Sequence, residues 1–297
     1  MEPAPFDPRA IHSVGLLPLP QWDRVREAVR QVAEWFTARN IRVLLPQAAA
    51  EELGLPAHGA DRAALLQQAD LLVSLGGDGT LLSAARQAAP LGKPVLGINL
   101  GGFGFLAAIP HAGLLAHLAR VMEGDLILQS RMMLQAEVQR AGAAVATFTA
   151  LNDIVLARGA FSRLFRLTTQ ISGEPVSTFP ADGMIIATPT GSTGYALSAG
   201  GPVLDPELRA FIITPICAHT LTARTLVTPV DRPITLSLPA GSAEDVHLTA
   251  DGQEGMPLQA ADCVEITEAP FVARLITLPG ETFYAKLRDK LGWGGPR

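Results

Sequence analysis

Apolar residues fall along this chain in two different rhythms. In the first third, short unbroken apolar runs at residues 12–17, 41–45, 71–75 and 94–98 alternate with stretches of helical spacing. Trp22, Val25, Val29, Val32, Trp35 and Phe36 recur every three to four positions, the period of one helix face. Residues 61–68, 81–89 and 112–122 also read as helices. Strands that are apolar throughout, separated by helices, predict a parallel sheet covered on both faces, a doubly wound, Rossmann-like α/β domain over residues 1–125. In such sheets ligands bind beyond the carboxyl ends of the strands. From about Leu126 the rhythm becomes alternating, as in Leu134-Gln-Ala-Glu-Val-Gln139 and residues 164–171, and it continues at 234–238, 247–249 and 264–267. Alternation predicts half-buried antiparallel strands, so residues 126–270 read as a β-rich domain. Residues 271–297 start strand-like and finish helix-like, and are expected to pack back on the first domain.

Composition narrows the class. A chain of 297 residues, 48% hydrophobic and 17% charged, has enough apolar material for two folded domains and is no disordered segment. Its 28 acidic against 23 basic residues give a net charge of -5, which argues against a broad basic surface for nucleic acid. Cys217 and Cys263 form no CxxC pair, which supports neither a zinc site nor a disulfide framework, and the amino terminus has neither the basic nor the apolar region of a signal peptide. A reducing cytoplasm is the expected location. Residues 94–119 hold no Asp, Glu, Lys or Arg and are long enough to span a bilayer. Asn99, Pro110, His111, His117 and several glycines make strand, glycine-rich turn and helix the better reading, so no membrane partner is expected.

The candidate chemistry lies in four places. Gly76-Gly-Asp-Gly-Thr80 follows the third apolar run and precedes a helix, where glycines let backbone approach a ligand and helix-terminal amides favour phosphate. Asp78 there binds a metal, accepts a hydroxyl proton, or caps the helix. Residues 97–105, Gly-Ile-Asn-Leu-Gly-Gly-Phe-Gly-Phe, form a second close-approach loop or an ordinary crossover turn. Asn152-Asp153 suits a nucleoside, because a carboxylate accepts both ribose hydroxyls and an amide donates and accepts; a turn is the alternative. Residues 188–198, Thr-Pro-Thr-Gly-Ser-Thr-Gly-Tyr-Ala-Leu-Ser, gather hydroxyls, glycines and one aromatic ring without a charge, the character of a nucleotide pocket.

These segments, in this order and with residues 197–202 and 213–220, resemble the NAD kinase family across most of the chain. The Gly-Gly-Asp-Gly-Thr element is shared with diacylglycerol, sphingosine and phosphofructo-kinases, whereas the Thr188–Thr193 segment is far more specific. The resemblance implies an enzyme that transfers the γ-phosphoryl of ATP, or of polyphosphate, to the 2′-hydroxyl of the adenosine ribose of NAD. It further implies a divalent cation, Mg²⁺ first, with ligands left unassigned, and a homodimer or homotetramer. Residue by residue it makes Asp78 the general base and a substrate contact, with Gly79 beside it, and Asn152 and Asp153 the adenosine pair, Asp153 standing where many members have Glu. Arg163, Asp182, Thr193, Gly194, Tyr195, Ala196, Leu197, Ser198 and Gln253 match further substrate positions. Asp251 either assists electrostatically or makes a β-turn, and Ser83 stands where some members carry a basic residue. His219 reads as a hydrogen-bonded structural histidine and both cysteines as buried small hydrophobes. Two rivals remain: a non-catalytic dinucleotide sensor that could dispense with Asp78, and a kinase of lipids or sugar phosphates, which residues 188–198 disfavour.

Overall fold

The computed structural model describes residues 6–19, 23–101, 104–106, 109–159, 165–220, 222–238 and 245–293. The chain divides into two compact units, one of residues 1–130 and 272–297, the other of residues 131–271.

The first unit opens with β1 (Ser13–Pro18), α1 (Asp23–Thr37), β2 (Arg42–Pro46), α2 (Gln47–Glu52), β3 (Gly59–Ala60) and α3 (Arg62–Gln68). It continues with β4 (Leu71–Gly76), α4 (Asp78–Ala88), β5 (Pro94–Asn99), β6 (Ile109–Pro110), α5 (Leu114–Glu123) and β7 (Ile127–Arg131). Val25, Val29, Val32 and Phe36 of α1 are wholly buried against Val14, Leu16, Leu71 and Val73 of the sheet, as their spacing predicts. The Asp61 carboxylate accepts the Ala63 and Ala64 N–H groups at 3.0 and 3.2 Å and so starts α3. Helix α4 begins at Asp78, three residues earlier than the apolar spacing predicts. The Leu81 N–H bonds the Gly77 carbonyl at 3.2 Å, so Gly77 is the cap and the Asp78-Gly79 pair is carried into the first turn.

The second unit has β8 (Leu134–Arg140), β9 (Ala143–Ala150), β10 (Asp153–Arg158), β11 (Phe165–Ile171), β12 (Glu174–Ala181) and β13 (Gly183–Ala187). After the short helix α6 (Tyr195–Ser198) come β14 (Ala210–Ile216), β15 (Leu226–Pro229), β16 (Ile234–Ser237), β17 (Val246–Ala250), β18 (Glu254–Leu258) and β19 (Cys263–Glu268). Its strands pair antiparallel in two six-stranded sheets, β15-β14-β13-β10-β17-β18 and β12-β11-β16-β19-β8-β9. Leu134, Ala136 and Val138 of one sheet and Ile154, Leu156, Met184 and Ile186 of the other share a single core. β20 (Ala273–Thr277) then pairs parallel with β5, and α7 (Phe283–Leu291) ends the first unit.

With β20 in place the first sheet runs β3-β2-β1-β4-β5-β20-β7, with β6 beside β5. The chain winds one way from β1 to β3 and the other way from β4 onward, so the switch point lies between β1 and β4, and the Gly76–Thr80 turn stands at the carboxyl end of β4 where ligands bind such sheets. Residues 94–119 fold as β5, β6 and the start of α5, and no helix among the described residues is long and apolar enough to cross a membrane.

Candidate active site

Asp78 occupies the first helical position of α4, where the amide dipoles favour a negative charge. Its carboxylate reaches the loop after β5: Oδ2 accepts the Phe105 N–H at 2.6 Å, and the Leu106 N–H lies 3.2 and 3.3 Å from Oδ1 and Oδ2. Gly104 permits this, since a Cβ there would collide with the Asp78 carboxylate. The loop that follows β5 therefore fixes the carboxylate that the loop following β4 supplies. Gly79 is exposed beside it. From α7, Lys290 places its Nζ 5.4 Å from the Phe105 ring centroid; burial lowers the ammonium pKa, while the Asp78 charge acts the other way.

In the second unit three segments converge. The tight connection at residues 151–152 turns the chain from β9 into β10, and residues 188–191 pack against it. The Thr188 N–H donates to the Asn152 carbonyl at 2.9 Å, Thr188 Oγ1 donates to the Leu151 carbonyl at 2.6 Å, and the Gly191 N–H returns to Thr188 Oγ1 at 3.0 Å. Position 191 must be glycine, because any Cβ would strike the Asn152 backbone. Gly194 faces the same pair from further on: a Cβ built there lies 3.5 Å from Asn152 Nδ2 and 3.8 Å from Asp153 Oδ2, and 3.2 Å from the Gly191 carbonyl oxygen, which an alanine would press back by a few tenths of an ångström. The third segment is the turn after β17, from which Asp251 reaches the amides of residues 151–153.

Asp153 is 6% exposed, and burial, followed by the nearby Asp251 charge, raises its carboxyl pKa to about 7. The Asn152 Oδ1 and Thr190 Oγ1 atoms are buried with no hydrogen-bond partner, an arrangement that normally calls for a donor from outside. A carboxyl poised near neutrality, an acceptor lacking its donor and a backbone that glycine lets approach closely together suit a polyhydroxylated, amine-bearing ligand.

Two family profiles match the chain: the ATP-NAD kinase N-terminal domain over residues 14–126 and the ATP-NAD kinase C-terminal domain over residues 151–278. An NAD kinase of Moorella thermoacetica is 46% identical over 284 residues, covering 96% of this chain and 90% of that protein. This chain belongs to the NAD kinase family. An NAD kinase of Symbiobacterium thermophilum is 45% identical over 88% of this chain and 92% of its own. Among solved structures, yeast NADH kinase complexed with NADH superposes with a TM-score of 0.88 at 26% identity, covering 97% of this chain and 89% of that one. An NAD kinase from Archaeoglobus fulgidus in complex with ATP has the same fold, with a TM-score of 0.73 at 24% identity, over 95% of this chain and all of that one.

Membership gives the dispersed residues a common frame, and the structure separates them into groups. Thr193, Gly194, Tyr195, Ala196, Leu197 and Ser198 follow directly on the segment that holds Asn152. Tyr195 is 47% exposed and free to meet a ligand with its ring, Ser198 is exposed and Leu197 half-buried, whereas the Ala196 side chain belongs to the core with Val155, Ile185 and Ile212. Gln253 closes the Asp251 turn, its N–H on the Ala250 carbonyl at 3.0 Å. Asp182 stands apart. In the pairing of β10 with β13, Asp153 opposes Ala187 while Ala157 opposes Gly183, so Asp182 sits at the other end of β10, about 17 Å away at about 3.4 Å per residue. There the Arg158 Nε–H donates to Asp182 Oδ1 at 2.9 Å, and this bond holds the carboxyl below its usual pKa. Arg163 lies outside the described residues.

His219 is a hydrogen-bonded histidine as expected: its side chain is half exposed and its Nε2 stands 3.5 Å from Asp182 Oδ1, in the Asp182–Arg158 group. The cysteine readings need correction. Cys217 is exposed at φ 45°, one residue past the end of β14, and Cys263 is half-buried on the outward face of β19. Sequence reasoning passed over Gly104, Lys290 and Arg158. The signal for Lys290 was its rarity, one of three lysines in an arginine-rich chain.

Proposed function

We propose that this chain transfers the γ-phosphoryl of ATP to the 2′-hydroxyl of the adenosine ribose of NAD, producing NADP and ADP. The observation that carries this reading is the Asn152-Asp153 connection, clamped by residues 188–191, with a buried carboxyl of pKa about 7 and an unpartnered amide oxygen on neighbouring residues. Asp153 accepts the ribose hydroxyls, Asn152 takes a hydrogen bond from the adenine amine, and the exposed Tyr195 ring packs against the base. Asp78 accepts the proton of the 2′-hydroxyl. The Phe105 and Leu106 amides orient the carboxylate for that transfer. As the new 2′-oxygen–phosphorus bond forms, the bond between the γ-phosphorus and the β,γ-bridging oxygen breaks and ADP departs. Such a general base contributes about 10² to 10⁴ in rate.

Charge on the transferred group is met by the helix dipole at the start of α4 and by the Lys290 ammonium. The divalent cation, Mg²⁺ in this reading, enters as part of the nucleotide substrate. Among the described residues no group of three or more His, Cys, Asp or Glu side chains could hold a metal, and Mg²⁺ commonly binds through substrate phosphates. The roughly 17 Å between Asp153 and Asp182 within one copy supports a homo-oligomer in which Asp182 serves the substrate of a neighbouring copy, whereas Gln253 serves the substrate beside its own Asp153. Cytoplasm is the proposed location.

The test is an acceptor panel with ATP and Mg²⁺, NADP being read by an NADP-specific dehydrogenase. NAD is expected to be phosphorylated, with diacylglycerol, sphingosine and fructose 6-phosphate disfavoured about 10⁴-fold or more because they leave Asn152 and Asp153 unpaired. A lipid or sugar phosphate matching NAD in kcat/KM would overturn the reading, and NAD binding without turnover would make the chain a sensor.

A further inference from the structure

Asp251 and Gly252 have φ of 51° and 64°, and the Gln253 N–H bonds the Ala250 carbonyl, so the β17–β18 hairpin turns through two successive left-handed residues. That geometry is served equally well by Asn-Gly, Asp-Gly or Gly-Gly. The turn therefore explains why residue 251 is small or polar, and leaves its charge unexplained. The carboxylate has a second occupation. Asp251 Oδ2 accepts the Leu151 N–H at 3.0 Å, and Oδ1 accepts the Asn152 N–H at 2.7 Å and the Asp153 N–H at 3.1 Å. In return the Asp251 N–H donates to the Asp153 carbonyl at 2.9 Å. Three consecutive amides thus converge on one carboxylate a hundred residues away in sequence, and they belong to the two residues assigned to the adenosine of NAD and to the residue before them.

The geometry points to Asp251 as a positioning residue for NAD: it touches no substrate, and by collecting the amides of residues 151–153 it fixes the direction in which Asn152 and Asp153 present their side chains. This rests on the NAD reading of the Asn152-Asp153 pair proposed above. Only a carboxylate can fill the role, because a carboxamide turns an NH₂ donor toward one of three N–H donors. The arrangement also brings a second negative charge near Asp153, which opposes ionisation of the group it orients. Geometry and charge therefore act on NAD binding in opposite senses, and measurement at pH 8, where Asp153 is largely ionised, isolates the geometric part.

The experiment compares wild type, Asp251→Asn and Asp251→Gly as full chains; both substitutions suit the turn, and two of them guard against one failing to fold. In the ligand-free proteins, amide hydrogen exchange in peptides covering residues 151–153 is expected to accelerate about tenfold or more in both variants, as it does when a protecting bond is lost. At pH 8 the Kd and KM for NAD are expected to rise about tenfold, with the KM for ATP within about twofold and kcat within about threefold, the pattern of lost ground-state binding. In an Asn152→Ala/Asp153→Ala background, adding Asp251→Asn is expected to change the NAD Kd less than about twofold, because a residue that acts through the pair has nothing left to position. Unchanged exchange, an unchanged NAD Kd, or a full additional loss in that background would overturn the proposal while wild-type NADP formation leaves the kinase reading intact. Wild type that forms no NADP refutes that reading instead, and the exchange comparison then decides by itself whether Asp251 fixes the connection.

Discussion

Lowering the pH from 8 to 6 is expected to weaken NAD binding about tenfold through one carboxyl group, Asp153. Burial, with the Asp251 charge second, raises its pKa from 3.8 to about 7. Two ribose hydroxyls can both donate to the group only when it is ionised. With a pKa of about 7 the ionised fraction is about one eleventh at pH 6 and about ten elevenths at pH 8, a ratio of about ten, or about 1.4 kcal/mol. The same group acts on folding with the opposite sign. Folded protein keeps a proton that the unfolded chain releases near pH 3.8, so this contribution to stability is greatest below about pH 4, falls as the pH rises to about 7, and is level above that. Calorimetric titration of NAD between pH 5.5 and 8.5, with Asp153→Asn as the control that removes the titration, measures the effect. A wild-type Kd constant within about twofold from pH 6 to 8, or an equal slope in Asp153→Asn, would refute the assignment.

Gly104→Ala is expected to displace the Asp78 carboxylate and lower kcat at least about tenfold, with the NAD Kd within about threefold, in steady-state kinetics paired with direct binding. Asp153→Ala is expected mainly to raise the KM for NAD, by about 1.5 to 3 kcal/mol for charge-assisted hydrogen bonds; a collapsed kcat at unchanged KM would contradict it. Asp153→Asn is expected to raise the urea midpoint at pH 8, where it removes a buried charge, and to change it less at pH 5, where the wild-type carboxyl is already neutral.

The parallel sheet was legible because its strands, such as Leu71–Gly76, are buried along their whole length and so carry no polar alternation, while Val25, Val29, Val32 and Phe36 mark one helix face. The start of α4 was misplaced because glycines weaken any helix signal, although Gly77 here is the cap. The Gly76–Thr80 and Thr188–Ser198 segments were visible as local runs. What escaped depends on distance along the chain: the Asp251 carboxylate on amides a hundred positions earlier, Gly104 against Asp78, and Arg158 on Asp182. No local pattern records such contacts, since each is set by strand register and loop placement. The exposure of Cys217 escaped for a related reason, because it turns on a left-handed backbone at the end of β14 that an apolar neighbourhood conceals.

Asp78→Asn tests the central claim most directly, with kcat for NADP formation and the NAD Kd measured on the same preparation. The carboxamide keeps the shape and loses the proton acceptor, so kcat is expected to fall by about 10² to 10⁴ while the NAD Kd stays within a few-fold. A variant that retains more than about a tenth of the wild-type kcat would contradict the account and leave Asp78 as an anchor for the Phe105-Leu106 loop alone.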